Sequence, residues 1–311
     1  MNGSVARYPD RWGSQPLVSV IIRTIGRASL RESIQSVLRQ TYRPIELIIV
    51  NALPNHLPAL PSAAALETQV VGGRKLTRPE AANMGLEAAR GEWIIFLDDD
   101  DTFLPEHIAS LVERLSASDG ALVAYSATTL VDRKDASLGE IHLEFSRWVL
   151  FSLNYIQTGA ALFSRQFVTE GLRFDESFEC LQDWDFWIQL AQRTHFAFTR
   201  KATDHWSVFT GESGTEAELN RDPVRVKRYA ELLTQKWAPL ARRLSRQLRH
   251  HESMAERARK QGREALVEAH LKKIERIDSG PASRVGAGRS TSSLAFDLPS
   301  LAGIASLSAR Y

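Results

Sequence analysis

An α/β fold with a mostly parallel sheet and helices on both faces is predicted by three observations. Apolar runs of strand length recur at residues 17–22, 45–50 and 93–97, amphipathic helical stretches separate them, and the strands are followed by polar loops. With 311 residues, 43% of them apolar, the chain can fill a sizeable core, which excludes wholly disordered and collagenous classes. Cys180 is the one cysteine, so an intrachain disulfide, a Cys-rich zinc site and an iron–sulfur cluster are excluded.

Residues 17–22 are apolar on both faces, as a strand covered on two sides must be. Ser29 and Glu32 read as a capping box that opens a helix carrying Leu30, Ile34, Val37 and Leu38. Pro44 stops it, residues 45–50 form a second strand, and the βαβ connection makes the pair parallel. Pro54, Pro58 and Pro61 mark residues 52–62 as a loop. Thr77, Pro79 and Glu80 open a second helix, with Ala82, Leu86 and Ala89 as its apolar stripe and Gly91 beyond its end. A third strand, 92–97, runs into Asp98-Asp99-Asp100-Asp101. Pro105 opens a helix with Ile108, Leu111, Val112 and Leu115 on one face, and 121–125 is a fourth strand. The pattern weakens over 133–158. Strands at 160–164 and 196–199, a helix over 183–193 and two or three helices over 222–276 complete the reading.

Charge divides the chain. Overall it is +2, which gives no argument for nucleic acid, but Arg221 to Arg276 carries 16 basic and 7 acidic residues, about +9, behind a body with 20 basic and 28 acidic. Arg242, Arg243, Arg246 and Arg249 read as recurring around a helix, which favours a solvated extension; peripheral contact with an anionic membrane is the alternative. No apolar run approaches the 18 or more residues of a membrane helix, and the N-terminus lacks a signal-peptide stretch. A soluble, cytoplasmic protein is expected, with membrane contact confined to the inner face.

Four consecutive aspartates repel one another unless a cation offsets them. A solvated acidic turn would account for the run alone. Its delivery by a buried strand to the edge where doubly wound sheets bind ligands favours a hard divalent ion and a phosphate-bearing ligand.

Several segments together carry a resemblance. They are Val18-Ser19-Val20-Ile21-Ile22-Arg23-Thr24, Ser36-Val37-Leu38-Arg39-Gln40-Thr41-Tyr42, Glu46-Leu47-Ile48-Ile49-Val50, Ala81-Ala82-Asn83-Met84-Gly85-Leu86, the strand from Gly91 into Asp98-Asp99-Asp100-Asp101, and Gln182-Asp183-Trp184-Asp185-Phe186-Trp187. In order and spacing the chain resembles glycosyltransferase family 2, inverting enzymes of the GT-A fold, over roughly residues 16 to 215. The resemblance implies transfer of a sugar from a nucleotide-diphospho-sugar, most commonly UDP-linked, to a hydroxyl of a glycan, lipid-linked or protein acceptor, with Mg²⁺ or Mn²⁺. It identifies Asp98-Asp99-Asp100 with the family's DxD motif, Asp100 as metal ligand and Asp99 as ribose contact. It places Thr24 in the first nucleotide-binding loop, Asn51 where an aspartate usually reads the base, and Arg78 near base and diphosphate. Asp183 matches the general base, with Gln182 replacing the usual glutamate, and His205 falls where some members keep a histidine near the metal.

Each role has a plainer counterpart. Asp183 could serve as an N-cap, Arg78 as a surface cation and His205 as a packed side chain beside Trp206. Asp185, Cys180, Trp184 and Trp187 read as structural. Arg23 and Ile25 stand where proline and an aromatic are common. The departures motivate a rival reading as a non-catalytic nucleotide-sugar or glycan binder. A nucleotidyltransferase is a third reading, disfavoured because no Gly-rich, Lys-containing loop follows the first strand. The expected organisation is an arm at 1–13, a GT-A domain at 14–215, a basic helical extension at 216–277 and a disordered tail at 278–311.

Overall fold

The structure, a computed structural model, describes residues 15–54, 57–60, 66–132, 134–208 and 222–280. The expected arm, most of the tail and the junction between domain and extension lie outside the described residues.

The first βαβ unit forms as predicted: β1 (Val18–Thr24) and β2 (Ile45–Asn51) are parallel and joined through α1 (Leu30–Leu38). Ser29 does not close the expected capping box. Its backbone is already helical (φ −60°, ψ −26°) and its hydroxyl makes no cap bond, whereas a capping side chain needs an extended backbone to turn back onto the helix. β3 (Glu67–Gly72) extends the parallel sheet beyond β2. It follows no apolar run, because this edge strand leaves nearly every residue exposed. Thr77 and Glu80 do form a capping box, at the start of α2 (Arg78–Ala88).

β4 (Trp93–Asp98) lies parallel on the other side of β1. The chain continues through β5 (Thr102–Phe103), α3 (His107–Ser116), β6 (Val123–Val131), β7 (Ser137–Ile141) and α4 (Arg147–Leu150). β8 (Ala161–Ser164), α5 (Gln166–Thr169), α6 (Gln182–Ala191) and β9 (Phe196–Ser207) complete the body. The strand order is β3-β2-β1-β4-β8-β6-β9-β5, with β7 also on β6. One half of the sheet is parallel; β8 runs antiparallel to both β4 and β6. β9 outruns its predicted four residues because irregular register beside Ser126, Ala127 and Thr128 absorbs Arg200, Lys201 and Thr203 without ending the strand.

Alternation along the strands builds two cores. Val20, Ile22, Leu47, Ile49, Ile95 and Leu97 pack with Ile34 and Val37 of α1 and Ile108 and Leu111 of α3. On the opposite face Ile21, Ile48, Val50 and Phe96 pack with Ala82 and Leu86 of α2 and Phe186 and Trp187 of α6. Gly85 permits the close seat of α2, since a Cβ there would come within 2.4 Å of Ile21 Cγ2.

The C-terminal region is one long helix, α7 (Pro223–Lys260), packed beside α8 (Glu264–Ser279). Leu244, Leu248 and Ile274 meet Trp148 and Phe151 of the body. Asp278 Oδ1 accepts from the Trp148 amide at 2.8 Å. Helical geometry corrects the expectation that the arginines encircle α7. At about 100° per residue Arg242, Arg246 and Arg249 share one exposed face, turned away from buried Leu244 and Leu248. Among the described residues no helix is long and apolar enough to cross a membrane.

Candidate active site

Because β1, β2 and β4 are in register, their carboxyl ends are level: Thr24 stands opposite Asn51, and Arg23 opposite Asp98. Arg23 and Asp98 follow Ile21 and Phe96 by two residues, which puts them on the face covered by α2 and α6. Those helices bring Arg78 at the first position of α2 and Asp183 at the second position of α6. The sheet therefore gathers residues as far apart in the sequence as Thr24 and Asp183, and β9 sets His205 beside Thr102, two residues beyond Asp100.

Every carboxylate of the acidic run has a distinct environment. Asp98 Oδ1 is 2.5 Å from Arg23 Nη2, with a third of its side chain exposed. Burial pushes its pKa up, but Arg23, Arg78 and Arg27 outweigh that and hold it below the ordinary value. Asp99 accepts from Thr24 Oγ1 at 2.5 Å, and its other oxygen lies 2.9 Å from Arg27 Nη1. The same Arg27 nitrogen donates to Asp100 Oδ2 at 2.8 Å. Burial raises Asp99 to about 6 against the pull of Arg27 and Thr24. Asp101 is buried, accepts from the Ser207 amide at 2.9 Å, and is pushed well above the usual carboxylate range by burial and by Asp100, Asp98 and Asp204. Thus Asp99, expected at a ribose, is 4% exposed beneath Arg27, and Asp98 is the carboxylate presented at the edge.

Asn51 is buried at the end of β2, and its side-chain oxygen accepts from the Leu53 amide at 3.3 Å, a local turn that fixes its orientation. Asp183 is not an N-cap: Leu181, in the left-handed region at φ 59°, holds that position. The carboxylate instead accepts from Asn154 Nδ2 at 3.1 Å. Burial raises its pKa, moderated by Asn154, the Trp184 amide and Arg23, while Asp98 adds to the rise. Asp185 is structural as expected, fully buried and bound to Lys236 and Trp237 of α7. Cys180 is buried, and desolvation raises its thiol to about 11, so it is inert.

His205 sits on β9 opposite Thr102. Among the described residues no group of three His, Cys, Asp or Glu side chains is placed to hold a metal ion. Sequence reasoning missed Arg27 and Asn154 and noted Arg23 only as a departure. A basic residue three positions beyond Thr24 was a usable signal for Arg27; Asn154 lay in the stretch without periodicity.

Comparison with known proteins places this geometry in context. The family model described as glycosyl transferase family 2 matches residues 19–171. The Bacillus subtilis protein named uncharacterized glycosyltransferase YwdF is 30% identical over 188 residues, 56% of this chain and 68% of that protein. The uncharacterized glycosyltransferase MJ1057 of Methanocaldococcus jannaschii is 26% identical over 187 residues, 56% of this chain, and the chain spans 64% of its length. Among solved structures, a mannosyltransferase from Pyrobaculum calidifontis in complex with GDP-Man and Mn²⁺ superposes with a TM-score of 0.49 and 16% identity, over 84% of this chain and 88% of that one.

Proposed function

The chain belongs to glycosyltransferase family 2, and from that premise we propose that it transfers a sugar from a nucleoside diphosphate donor to an acceptor hydroxyl with inversion at the anomeric carbon. The observation that carries the reading is the seat of Asp183 at the second position of α6, the helix that covers the sheet face on which Arg23 and Asp98 stand, within their electrostatic reach. One carboxylate thus faces a cluster of cations and acids suited to a sugar diphosphate.

In this reading Thr24 and Asn51 line the nucleoside end, and Asp98 takes the ribose hydroxyls. Arg78 faces the diphosphate. As the acceptor oxygen attacks the anomeric carbon from the face opposite the leaving group, its proton passes to Asp183. The bond from that carbon to the β-phosphate oxygen breaks, and its electron pair leaves with the nucleoside diphosphate. Direct displacement of this kind inverts the centre and needs no covalent enzyme intermediate. Arg23, 8% exposed and over the Phe96 ring at 5.6 Å, lies where it counters the growing negative charge.

The residues also fit a divalent cation. Asp99 Oδ1 and Asp100 Oδ2 converge on a single cationic nitrogen of Arg27, which stands in for an ion between two hard oxygens. Asp99 and Asp100 would hold Mg²⁺ or Mn²⁺, with the remaining ligands drawn from phosphate and water. When bound, the ion supplies Lewis-acid neutralisation of the diphosphate.

Incubation with a panel of UDP-, GDP- and dTDP-sugars tests the proposal. One donor is expected to release its nucleoside diphosphate, and proton NMR of the first product should show the anomer opposite to the donor's. Retention of configuration would reject the mechanism, and nucleotide binding without any turnover would favour the non-catalytic rival.

The exposed face of Arg242, Arg246 and Arg249 supports peripheral contact with an anionic membrane surface, since α7 carries no acidic residue between Glu231 and Glu252. The protein should sediment with phosphatidylserine-containing vesicles at low salt and release from them in high salt. Equal recovery with neutral vesicles would exclude this contact.

A further inference from the structure

Arg27 is the cation on which the acidic run closes. Its Nη1 touches Asp99 and Asp100 at 2.9 and 2.8 Å, and its side chain is 14% exposed. The same guanidinium is poorly satisfied elsewhere, because its Nε is buried with no hydrogen-bond partner among the described residues. A buried donor without an acceptor is costly, and a phosphate oxygen is the kind of acceptor that a guanidinium takes best. Arg27 also lies on the flexible-geometry side of the site: it follows Gly26, at φ 85°, in the loop between β1 and α1.

We propose that Arg27 is a tethered cation that occupies the metal's place in the donor-free protein and exchanges onto the diphosphate when donor and metal enter. The inference rests on reading this edge as the donor site. Two positive charges cannot share the space between Asp99 and Asp100, so the ion and the guanidinium compete for the same oxygens. The donor resolves the competition by offering Arg27 a second anion. Metal affinity is therefore low until nucleotide is present, and by linkage nucleotide affinity is low until metal is present. Such a site would hold back divalent metal from an empty active site and let it in with substrate.

The test follows free Mn²⁺ by its electron paramagnetic resonance signal in titrations of the full-length protein, without and with UDP, GDP or dTDP. Wild type alone is expected to bind Mn²⁺ only weakly. Arg27→Gln, which removes the charge and keeps a polar side chain, should bind Mn²⁺ about tenfold more tightly in the absence of nucleotide. Arg27→Lys retains a tethered charge and should stay close to wild type. A circular-dichroism melt reports whether the variants fold. The wild-type titration needs no variant: tight Mn²⁺ binding by the free protein would overturn the proposal. So would an Arg27→Gln protein that binds Mn²⁺ no better than wild type. If none of the three nucleotides alters the Mn²⁺ titration, the exchange and the donor-site reading both fall, whereas tight metal binding by wild type alone removes only the tether.

Discussion

Asp183→Asn is expected to lower kcat by about a thousandfold while leaving nucleoside diphosphate binding unchanged. The substitution keeps the side chain's shape and an oxygen able to accept the 3.1 Å hydrogen bond from Asn154, so the loss would report the missing base and not a moved helix. Stability gives an independent reading. Burial raises the Asp183 pKa in the folded protein, so between the unfolded value and the folded one the native state binds more protons than the unfolded chain. Stability contributed at this residue is thus greatest at low pH and falls as pH rises through the raised pKa. An asparagine side chain carries no charge to desolvate, and the variant should melt no lower than wild type at neutral pH. A variant that is both inactive and unstable would argue for a structural role.

The same geometry sets the pH dependence. The acid limb of kcat/KM should lie above the ordinary carboxylate range, because the base works only when ionised. Asn154→Ala removes a donor that favours the ionised form and should move that limb to higher pH. Asn154, Arg23, Asp98 and the Trp184 amide act on this carboxylate, and the Cys180 thiol lies within its electrostatic reach. Nucleotide binding measured alongside should hold steady, which separates a displaced titration from a damaged donor site.

Much of this site was legible because strand ends follow from periodicity. Buried β-branched runs fixed β1, β2 and β4, and the level ends of parallel strands then placed Thr24, Asn51 and the aspartates together. Edge strands escaped notice for the opposite reason: β3 and β7 are largely exposed and carry no apolar signature. Charge pairing was less legible than position. Arg23 reads in the sequence as the loss of a proline, yet in the fold it is the partner of Asp98, a relation set by strand register across 75 residues. His205 is likewise placed by register, since β9 carries it opposite Thr102, two residues beyond Asp100.

Lys236→Met is expected to destabilise the protein by about 3 kcal/mol, the magnitude for breaking a buried pair from one side. Asp185 has no exposure, and its carboxylate receives Lys236 Nζ at 2.8 Å, Trp237 Nε1 at 2.8 Å and Gln189 Nε2 at 2.8 Å. Methionine keeps an unbranched side chain of similar length but removes the ammonium that lies over the Phe178 and Trp237 rings, at 5.0 and 5.5 Å, and leaves the carboxylate buried without a countercharge. A thermal melt should therefore fall by several degrees, and a second change, Asp185→Asn, should restore much of the loss because it removes the stranded charge. Additive losses in the double variant would mean that the two side chains act separately. The pair has a functional corollary. Asp185 lies two residues beyond Asp183 on α6, so α7, which the sequence marks only as a basic helix, pins the helix that carries the proposed base. Lys236→Met should accordingly lower kcat at temperatures well below its melt, and the double variant should regain activity together with stability.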